Sequence, residues 1–212
     1  CLITGNRIEH VKEGIVTHYG GSGPYIIEHN EIGYTYSDQL KYTLNTPESL
    51  TARKRWARNN WYMMVGRQDD LGPAGEANSG PHSDMWQHVR TATSDGANID
   101  GIEFVQNTAI LTAASRGYNI QGMFAGSDGG NRPVYRNALI TGNLVKADSA
   151  HAVSLKVDGG IFAHNTLIRT LAPSGPAPLG KNTGKACFYL EVAAGAAKPK
   201  LIRNVTDRVP NL

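Results

Sequence analysis

Short segments in which apolar and polar residues roughly alternate recur along the chain. The main ones are YIIEHNEIGY at 25–34, ALITGNLV at 138–145, AVSLKV at 152–157 and GIFAHNTLI at 160–168. They are rich in β-branched residues, and Gly-rich corners such as DGG at 128–130 and 158–160 separate them. This pattern predicts short β-strands joined by tight turns.

A six-residue pattern recurs within these segments: an apolar residue, two variable residues, Asn, one variable residue and an apolar residue. The pentapeptide LITGN, at 2–6 and again at 139–143, is its most complete form. The pattern, degenerate at its last occurrence, includes Asn6, Asn30, Asn107, Asn137, Asn143, Asn165 and Asn204. One structural unit is therefore used several times.

The spacing of the repeat indicates what the unit is. Asn30 follows Asn6 by 24 residues, and Asn165 follows Asn143 by 22. This period is too short for helical hairpins and fits a coil of three short strands and three turns. Coils about 4.8 Å apart would let inward Asn amides hydrogen-bond one another and the turn backbone. LITGN then marks a strand entering an Asn-bearing turn, and it returns after about six such coils.

Over residues 1–36 and 84–206 the chain resembles the right-handed parallel β-helices of the pectate-lyase-like superfamily, in which Asn ladders and N-x-I strands are common. The resemblance implies an all-β, right-handed parallel β-helix, a solenoid, forming a single domain over 1–212. A β-sandwich or jelly roll is the alternative fold.

The repeat is interrupted at 37–83, which we interpret as an insertion from one corner of the solenoid. Thr46 as a cap, Pro47 in the first turn and Glu48 behind it predict a short helix in NTPESLTARKRWARNNWYMM. A Gly/Pro-rich loop follows. Trp56 and Trp61, interleaved with Arg and Lys residues, are candidate sugar-binding side chains. Alternatively, the Trp side chains only pin the helix to the solenoid.

The segment PHSDMWQHV at 81–89 carries the candidate chemistry. On a strand, His82, Asp84 and Trp86 project to one face and Gln87 to the other. His82 and Asp84 would lie close enough to act as an acid/base pair, or to brace the loop structurally. The arrangement H-x-D-x-x-Q looks like segments of β-helix proteins that bind or cleave polysaccharides, including viral tailspikes.

Two further residues extend this candidate site, if successive coils stack in the right register. Asp100 would stack near His82 or Asp84 as a third catalytic candidate, because neighbouring carboxylates raise the pKa of one another. Arg116 would contact an acidic sugar beside Trp86 and Gln87. Most of the Asp-Gly pairs also suit turns, which is the structural alternative for these carboxylates.

Composition narrows the class of partner. A formal charge of +3 is too small to favour nucleic acid, whereas a pI of about 8.9 leaves an acidic polymer open. The two cysteines, Cys1 and Cys187, do not make a disulfide framework. No run of apolar residues is long enough to span a membrane. No metal or cofactor is predicted.

The sequence therefore predicts a β-helix that binds an extracellular or cell-surface polysaccharide, with cleavage by a lyase or hydrolase mechanism left open. The alternative is a non-catalytic receptor-binding or structural spike module of a virion or cell-surface assembly. Uncovered coil ends would expose strand edges, so we expect a homo-oligomer, for instance a trimer, or further domains of a longer chain.

Overall fold

In a computed structural model of the chain, every regular element among the described residues is a β-strand. The described residues are 2–9, 11, 13–17, 25–35, 40–44, 55–58, 61–64, 84–90, 98–111, 121–127, 134–147, 151–169 and 187–206.

Three parallel sheets, here called A, B and C, contain these strands. Sheet A is formed, in spatial order, by β1 (Leu2–Thr4), β4 (Tyr25–Glu28), β7 (Arg55–Arg58), β11 (Glu103–Val105), β15 (Leu139–Thr141), β18 (Ile161–Ala163) and β21 (Lys200–Ile202). Sheet B is formed by β2 (Arg7–Glu9), β5 (Glu31–Thr35), β8 (Trp61–Met64), β12 (Thr108–Leu111), β16 (Leu144–Ala147), β19 (Thr166–Arg169) and β22 (Val205–Thr206). The chain passes from A to B to C in each round, so each round is one coil.

Sheet C is less regular than the other two. Its order is β10 (Asn98–Asp100), β14 (Val134–Arg136), β17 (His151–Asp158), β13 (Gln121–Ser127), β9 (Asp84–Arg90), β6 (Leu40–Leu44) and β3 (Ile15–Thr17), with β20 (Cys187–Val192) also pairing with β17. In the third and fourth coils this side is divided into two strands, β9 with β10 and β13 with β14. Since every pairing described is parallel, the architecture is compatible with a β-helix or solenoid, and not with an antiparallel sandwich.

Inward side chains form continuous columns through the stack. In sheet A the register aligns Ile3, Ile27, Phe104, Ile140, Phe162 and Leu201, and the backbone of Ala57 lies in the same row. Phe104 and Phe162 are almost fully buried, and each packs against an aromatic ring from sheet C. The Trp86 ring stacks on Phe104 at 4.9 Å, and Phe188 meets Phe162 edge-on at 5.6 Å. The core is therefore a stack of apolar layers between the sheets.

The two LITGN segments occupy equivalent places in this stack, which confirms that the pentapeptide marks a strand entering an Asn-bearing turn. Ile3 and Ile140 lie in the same inward column, but they are four coils apart rather than six. Coil length explains the difference. The length of a coil, counted between register partners in sheet A, varies from 22 residues, between Leu139 and Ile161, to 47 residues, between Trp56 and Glu103.

The predicted Asn ladder is present at the corner between sheets A and B. Asn6 donates to Asn30 Oδ1 at 2.9 Å, and the amides of Asn107, Asn143, Asn165 and Asn204 form a second run with Nδ2 to Oδ1 distances of 3.1, 2.8 and 2.9 Å. In each of these pairs the backbone N–H of the earlier Asn donates to the same Oδ1. Asn137 is the exception to the pattern, because it lies exposed at the corner between sheets C and A.

Asn143, in the middle of the second run, uses all the donors and acceptor positions of its side-chain amide. Asn143 Oδ1 accepts two hydrogen bonds from Asn107, from N at 2.9 Å and from Nδ2 at 3.1 Å. Asn143 Nδ2 donates one hydrogen to Asn165 Oδ1 and the other to the carbonyl oxygen of Phe104 at 2.9 Å. Asn143 is 2% exposed, so these protein partners replace water.

The helix predicted in 46–64 is wrong over its described part. Residues 55–58 and 61–64 are strands, paired in register on both sides with strands of the neighbouring coils. Their backbone groups are satisfied by two flanking strands, and Ala57 pairs in register between Ile27 and Phe104, a position that a helix could not occupy. β6 completes the second coil and β7 and β8 begin the third, so these parts of the predicted insertion belong to the repeat. Residues 45–54 and the proposed loop at 65–83 lie outside the described residues.

A substitution in the Asn ladder tests whether its buried hydrogen bonds stabilise the corners between sheets A and B. We expect Asn143→Asp to lower the free energy of unfolding at neutral pH by at least about 3 kcal/mol. The introduced carboxylate loses both donors and faces two carbonyl oxygens without water. Burial raises the pKa of such a carboxyl above its unfolded-state value, so the loss is smallest at acidic pH and grows as pH rises through the folded-state pKa. Urea denaturation at several pH values measures this.

The matched control is Asn6→Asp at the exposed end of the same ladder. Water can solvate the introduced charge there, so its cost should be well under half that of Asn143→Asp. Equal losses at the two positions would mean that burial of the rung is not the source of its stability.

Candidate functional site

An open groove of about 670 Å³ follows the corner between sheets C and A across four successive coils. Its lining comes from three places: the short corners themselves, the first outward position of sheet A, and the connection from sheet C into β21. Because it crosses coil after coil, the groove runs along the stacking direction rather than along a strand.

Small residues at the corners form the floor of the groove. The first corner residue has a positive φ in three coils, 64° at Gly101, 53° at Asn137 and 69° at Gly159. The second is Ala138 in one coil and Gly160 in the next. A Cβ on Gly160 would lie 2.8 Å from the carbonyl oxygen of Ala138, so only Gly fits there. The corners therefore carry little side-chain volume, and this leaves the groove open.

One wall is a column of outward side chains in sheet A. The register aligns Glu103, Leu139, Ile161 and Lys200, one residue from each of four coils. They point outward because the residues that follow the first three of them are buried. Ile161 is 41% exposed. The wall thus presents a carboxylate, two aliphatic side chains and an ammonium group at intervals of about 4.8 Å.

The two cations at one end of the groove are placed by a hydrogen-bonded connection. Lys198 and Lys200 are exposed; Lys198 lies in the segment that joins β20 to β21, and Lys200 is the first residue of β21. Asp158 Oδ1 accepts a hydrogen bond from the backbone N–H of Ala197 at 3.0 Å, and the N–H of Gly159 donates to the Ala197 carbonyl at 2.8 Å. These bonds hold the segment against the corner, with Lys198 beside the groove.

Asp158 also pairs with Arg136, whose Nε lies 3.5 Å from Asp158 Oδ2. Both side chains are partly exposed, at 51% and 33%. Solvent screening makes such a pair worth little in stability. Its structural effect is to orient Asp158 toward the connection that carries Lys198 and leads into Lys200.

Trp86 lies in the core and not on the surface where we expected it to contact a sugar. It is 1% exposed and stacked on Phe104, in an inward column with Met123 and Val153. Buried aromatic packing of this kind stabilises the stack, and it leaves no ring face for a ligand.

The structure does not stack Asp100 with Asp84. The two residues lie in β10 and β9, which are successive parts of one side of the same coil. Strand β17 runs alongside both strands and gives their separation. Asp100 aligns through Arg136 with Asp158 of β17, and Trp86 aligns through Met123 with Val153, five residues earlier in the same strand. That separation is about 17 Å at roughly 3.3 Å per residue, and Asp84 lies two residues further away. An acid/base pair of Asp84 and Asp100 is therefore not formed.

The remaining predicted site residues are placed only by their backbones or not described. Gln87 lies in β9, in register with Phe124 of β13, and Trp56 and Trp61 lie in sheets A and B. His82 and Arg116 lie outside the described residues. Sequence reasoning missed Lys198, Lys200 and Asn137 as groove residues. The DGG segment at 158–160, recognised in the sequence as a turn, was the one feature that pointed to this corner.

Comparison with family models, with curated proteins and with solved structures found no match for this chain. Within the described ranges, no group of three or more His, Cys, Asp or Glu residues is arranged to hold a metal ion. Across the same part of the chain, no helix is both long and apolar enough to cross a membrane.

The shape of the groove floor can be tested with neighbouring glycines. We expect Gly160→Ala to destabilise the protein by at least about 2 kcal/mol more than Gly159→Ala does. Both positions have a positive φ, at 100° and 69°. Only at Gly160 would the added methyl group meet backbone, at 2.8 Å from the carbonyl oxygen of Ala138 and 3.1 Å from its nitrogen. At Gly159 the nearest atom is a Cβ at 3.9 Å.

Thermal unfolding followed by circular dichroism compares the two variants under the same conditions. If both variants unfold at the same temperature, the close approach of the two corners does not limit residue size at Gly160.

Proposed function

We propose that the chain is a right-handed parallel β-helix of the pectate-lyase-like type that binds an extracellular or cell-surface polysaccharide along the groove between sheets C and A. The observation that carries this proposal is the groove itself, which is open, runs along the stack and is lined by residues from four successive coils. A polymer whose repeating units are close in length to the spacing between coils, about 4.8 Å, can place one unit beside each coil along the groove.

The chemistry of the wall also suits a sugar polymer. Aliphatic side chains such as Leu139 and Ile161 pack against the apolar face of a sugar ring, and the exposed amide at the Asn137 corner suits hydroxyl groups. Lys198 and Lys200 complement carboxylate or sulfate groups. A polymer that carries some acidic units is therefore the class of ligand that this lining favours.

Binding is better supported than cleavage. Glycoside hydrolysis uses two carboxyl groups flanking the bond, and Glu103 is the single carboxylate in the described lining of the groove. The sequence-based catalytic candidates His82 and Asp84 remain a proposal for a separate site, which Asp100 lies too far from Asp84 to join. This scarcity of paired carboxylates favours the alternative of a non-catalytic binding or spike module over an enzyme acting in this groove.

Binding to an array of acidic and neutral polysaccharides, followed by calorimetry on the polymers retained, tests the proposal. We expect the double substitution Lys198→Gln with Lys200→Gln to weaken binding of an acidic polymer about tenfold, equivalent to about 1.4 kcal/mol. The loss should shrink as salt is raised, because screening already weakens these contacts. Product analysis of the same mixtures, for unsaturated products and new reducing ends, separates cleavage from binding.

The matched control is Lys146→Gln, which removes a partly exposed lysine from the outer face of sheet B. It should leave binding unchanged. Equal effects of the two variants would show that net charge, and not the groove, holds the polymer. Retention of no polysaccharide by the unaltered protein would contradict the proposal outright.

A further inference from the structure

The side chains along the groove have a fixed chemical order, which limits where an acidic sugar unit can bind. The sheet A wall contributes one position from each of four coils, and in chain order these are Glu103, Leu139, Ile161 and Lys200. Neighbouring positions lie about 4.8 Å apart. A bound polymer whose units match that spacing therefore meets a different side chain at each unit.

The cations of the described lining lie together at the end of the groove where β21 begins. Lys200 is the first residue of β21, and Lys198, two residues earlier, lines the same groove. The N–H of Ala197 donates to Asp158 Oδ1 at 3.0 Å, which fixes the backbone next to Lys198 against the corner. Two neighbouring ammonium groups suit one carboxylate or sulfate group of a ligand.

The two middle positions of the wall are aliphatic. Leu139 is partly exposed and Ile161 is 41% exposed, and the floor beside them is formed by Ala138 and Gly160. A carboxylate held against these groups would lose hydration without gaining a counter-charge. A neutral sugar unit can pack the apolar face of its ring there without that cost.

The charges around these two positions do not compensate a carboxylate. Arg136 Nε lies 3.5 Å from Asp158 Oδ2, so this pair adds no net charge. On the side away from the lysines, Leu139 is followed in the wall by Glu103, which is acidic. Leu139 is two coil spacings, about 9.6 Å, from Lys200, and salt screens charges over about 8 Å.

We propose, on the basis of the polysaccharide binding proposed above, that the groove selects a segment with one acidic unit at Lys198 and Lys200 and neutral units at Ile161 and Leu139. The ligand is then a polymer whose acidic units are separated by at least two neutral units, and not one that is acidic at every unit. Ile161 and Leu139 set this specificity by disfavouring charge. The lysines set the end of the groove at which the acidic unit binds.

Calorimetry with three β-1,4-linked glucose tetrasaccharides tests this selection, at about 0.15 M salt so that long-range attraction is screened. One is neutral, one carries a carboxylate at C6 of its non-reducing terminal unit, and one carries a carboxylate on every unit. We expect the singly acidic ligand to bind about tenfold tighter than the neutral one. The fully acidic ligand should bind no tighter than the singly acidic one. Affinity that rises with every added carboxylate, or no binding of any of the three, overturns the proposal.

A cation introduced at a middle position should relax the selection. We expect Ile161→Lys to tighten binding of the fully acidic tetrasaccharide about threefold, within the range of an exposed ion pair, and not to tighten binding of the singly acidic one.

The matched control is Ile202→Lys. Ile202 is 40% exposed, lies on the same outer face of sheet A and is outside the described lining of the groove. This variant should leave both affinities unchanged. Equal gains in the two variants would show that net charge, and not the position in the wall, governs the response, and would overturn the proposal.

Different outcomes bear on the groove as a binding site and on its selection of charge. If the polysaccharide array shows no retention at all, the groove does not bind polysaccharide and the selection falls with it. If polysaccharides are retained but the fully acidic tetrasaccharide binds tightest, the binding function stands and the selection of sparse acidic units is wrong.

Discussion

The structure depends on the satisfaction of buried backbone groups where each coil turns from sheet A to sheet B. A tight corner inside a stack has N–H and carbonyl groups that strand pairing does not reach, and water is excluded. The Asn amide meets this need because it has two donors and two acceptor positions in one short side chain. Glutamine would be too long for the corner, and a carboxylate would lack the donors.

The same corner explains why the preceding residue has an unusual backbone conformation. It has a positive φ at every described A-to-B corner, between 47° and 68°, although it is Gly only at Gly5 and Gly142. His29, Gln106, His164 and Arg203 adopt this conformation at the other corners, which is unfavourable for residues with a Cβ. The hydrogen bonds that the following Asn side chain makes to a neighbouring coil offset that cost. Register is thus fixed at the corner, while coil length varies from 22 to 47 residues.

Sequence predicted the ladder because its chemistry is local: one Asn between two apolar positions is visible in six residues. The helix was wrong because its start signals at 46–48 are also local, whereas pairing of β7 and β8 with strands of other coils is not. The segment Ala57-Arg58-Asn59-Asn60-Trp61-Tyr62 in fact fits the repeat pattern, although Asn60 lies outside the described residues. The burial of Trp86 could not be predicted, because the alternation of side chains along a strand shows that its two faces differ but does not show which face is buried.

The groove was harder to predict, for a reason that also explains its position. At the C-to-A corner the inward residue is Ile102, Ala138 or Gly160 in successive coils, so no shared amide fixes its identity. The ring of Phe162 fills the space beside Gly160, where a Cβ would lie 3.4 Å from it. Between β20 and β21 the same corner lengthens to residues 193–199 and carries Lys198. One corner is held constant by buried hydrogen bonds, and the other can change in size and charge without breaking the stack. The residues that line the proposed binding groove therefore differ from coil to coil at the second corner.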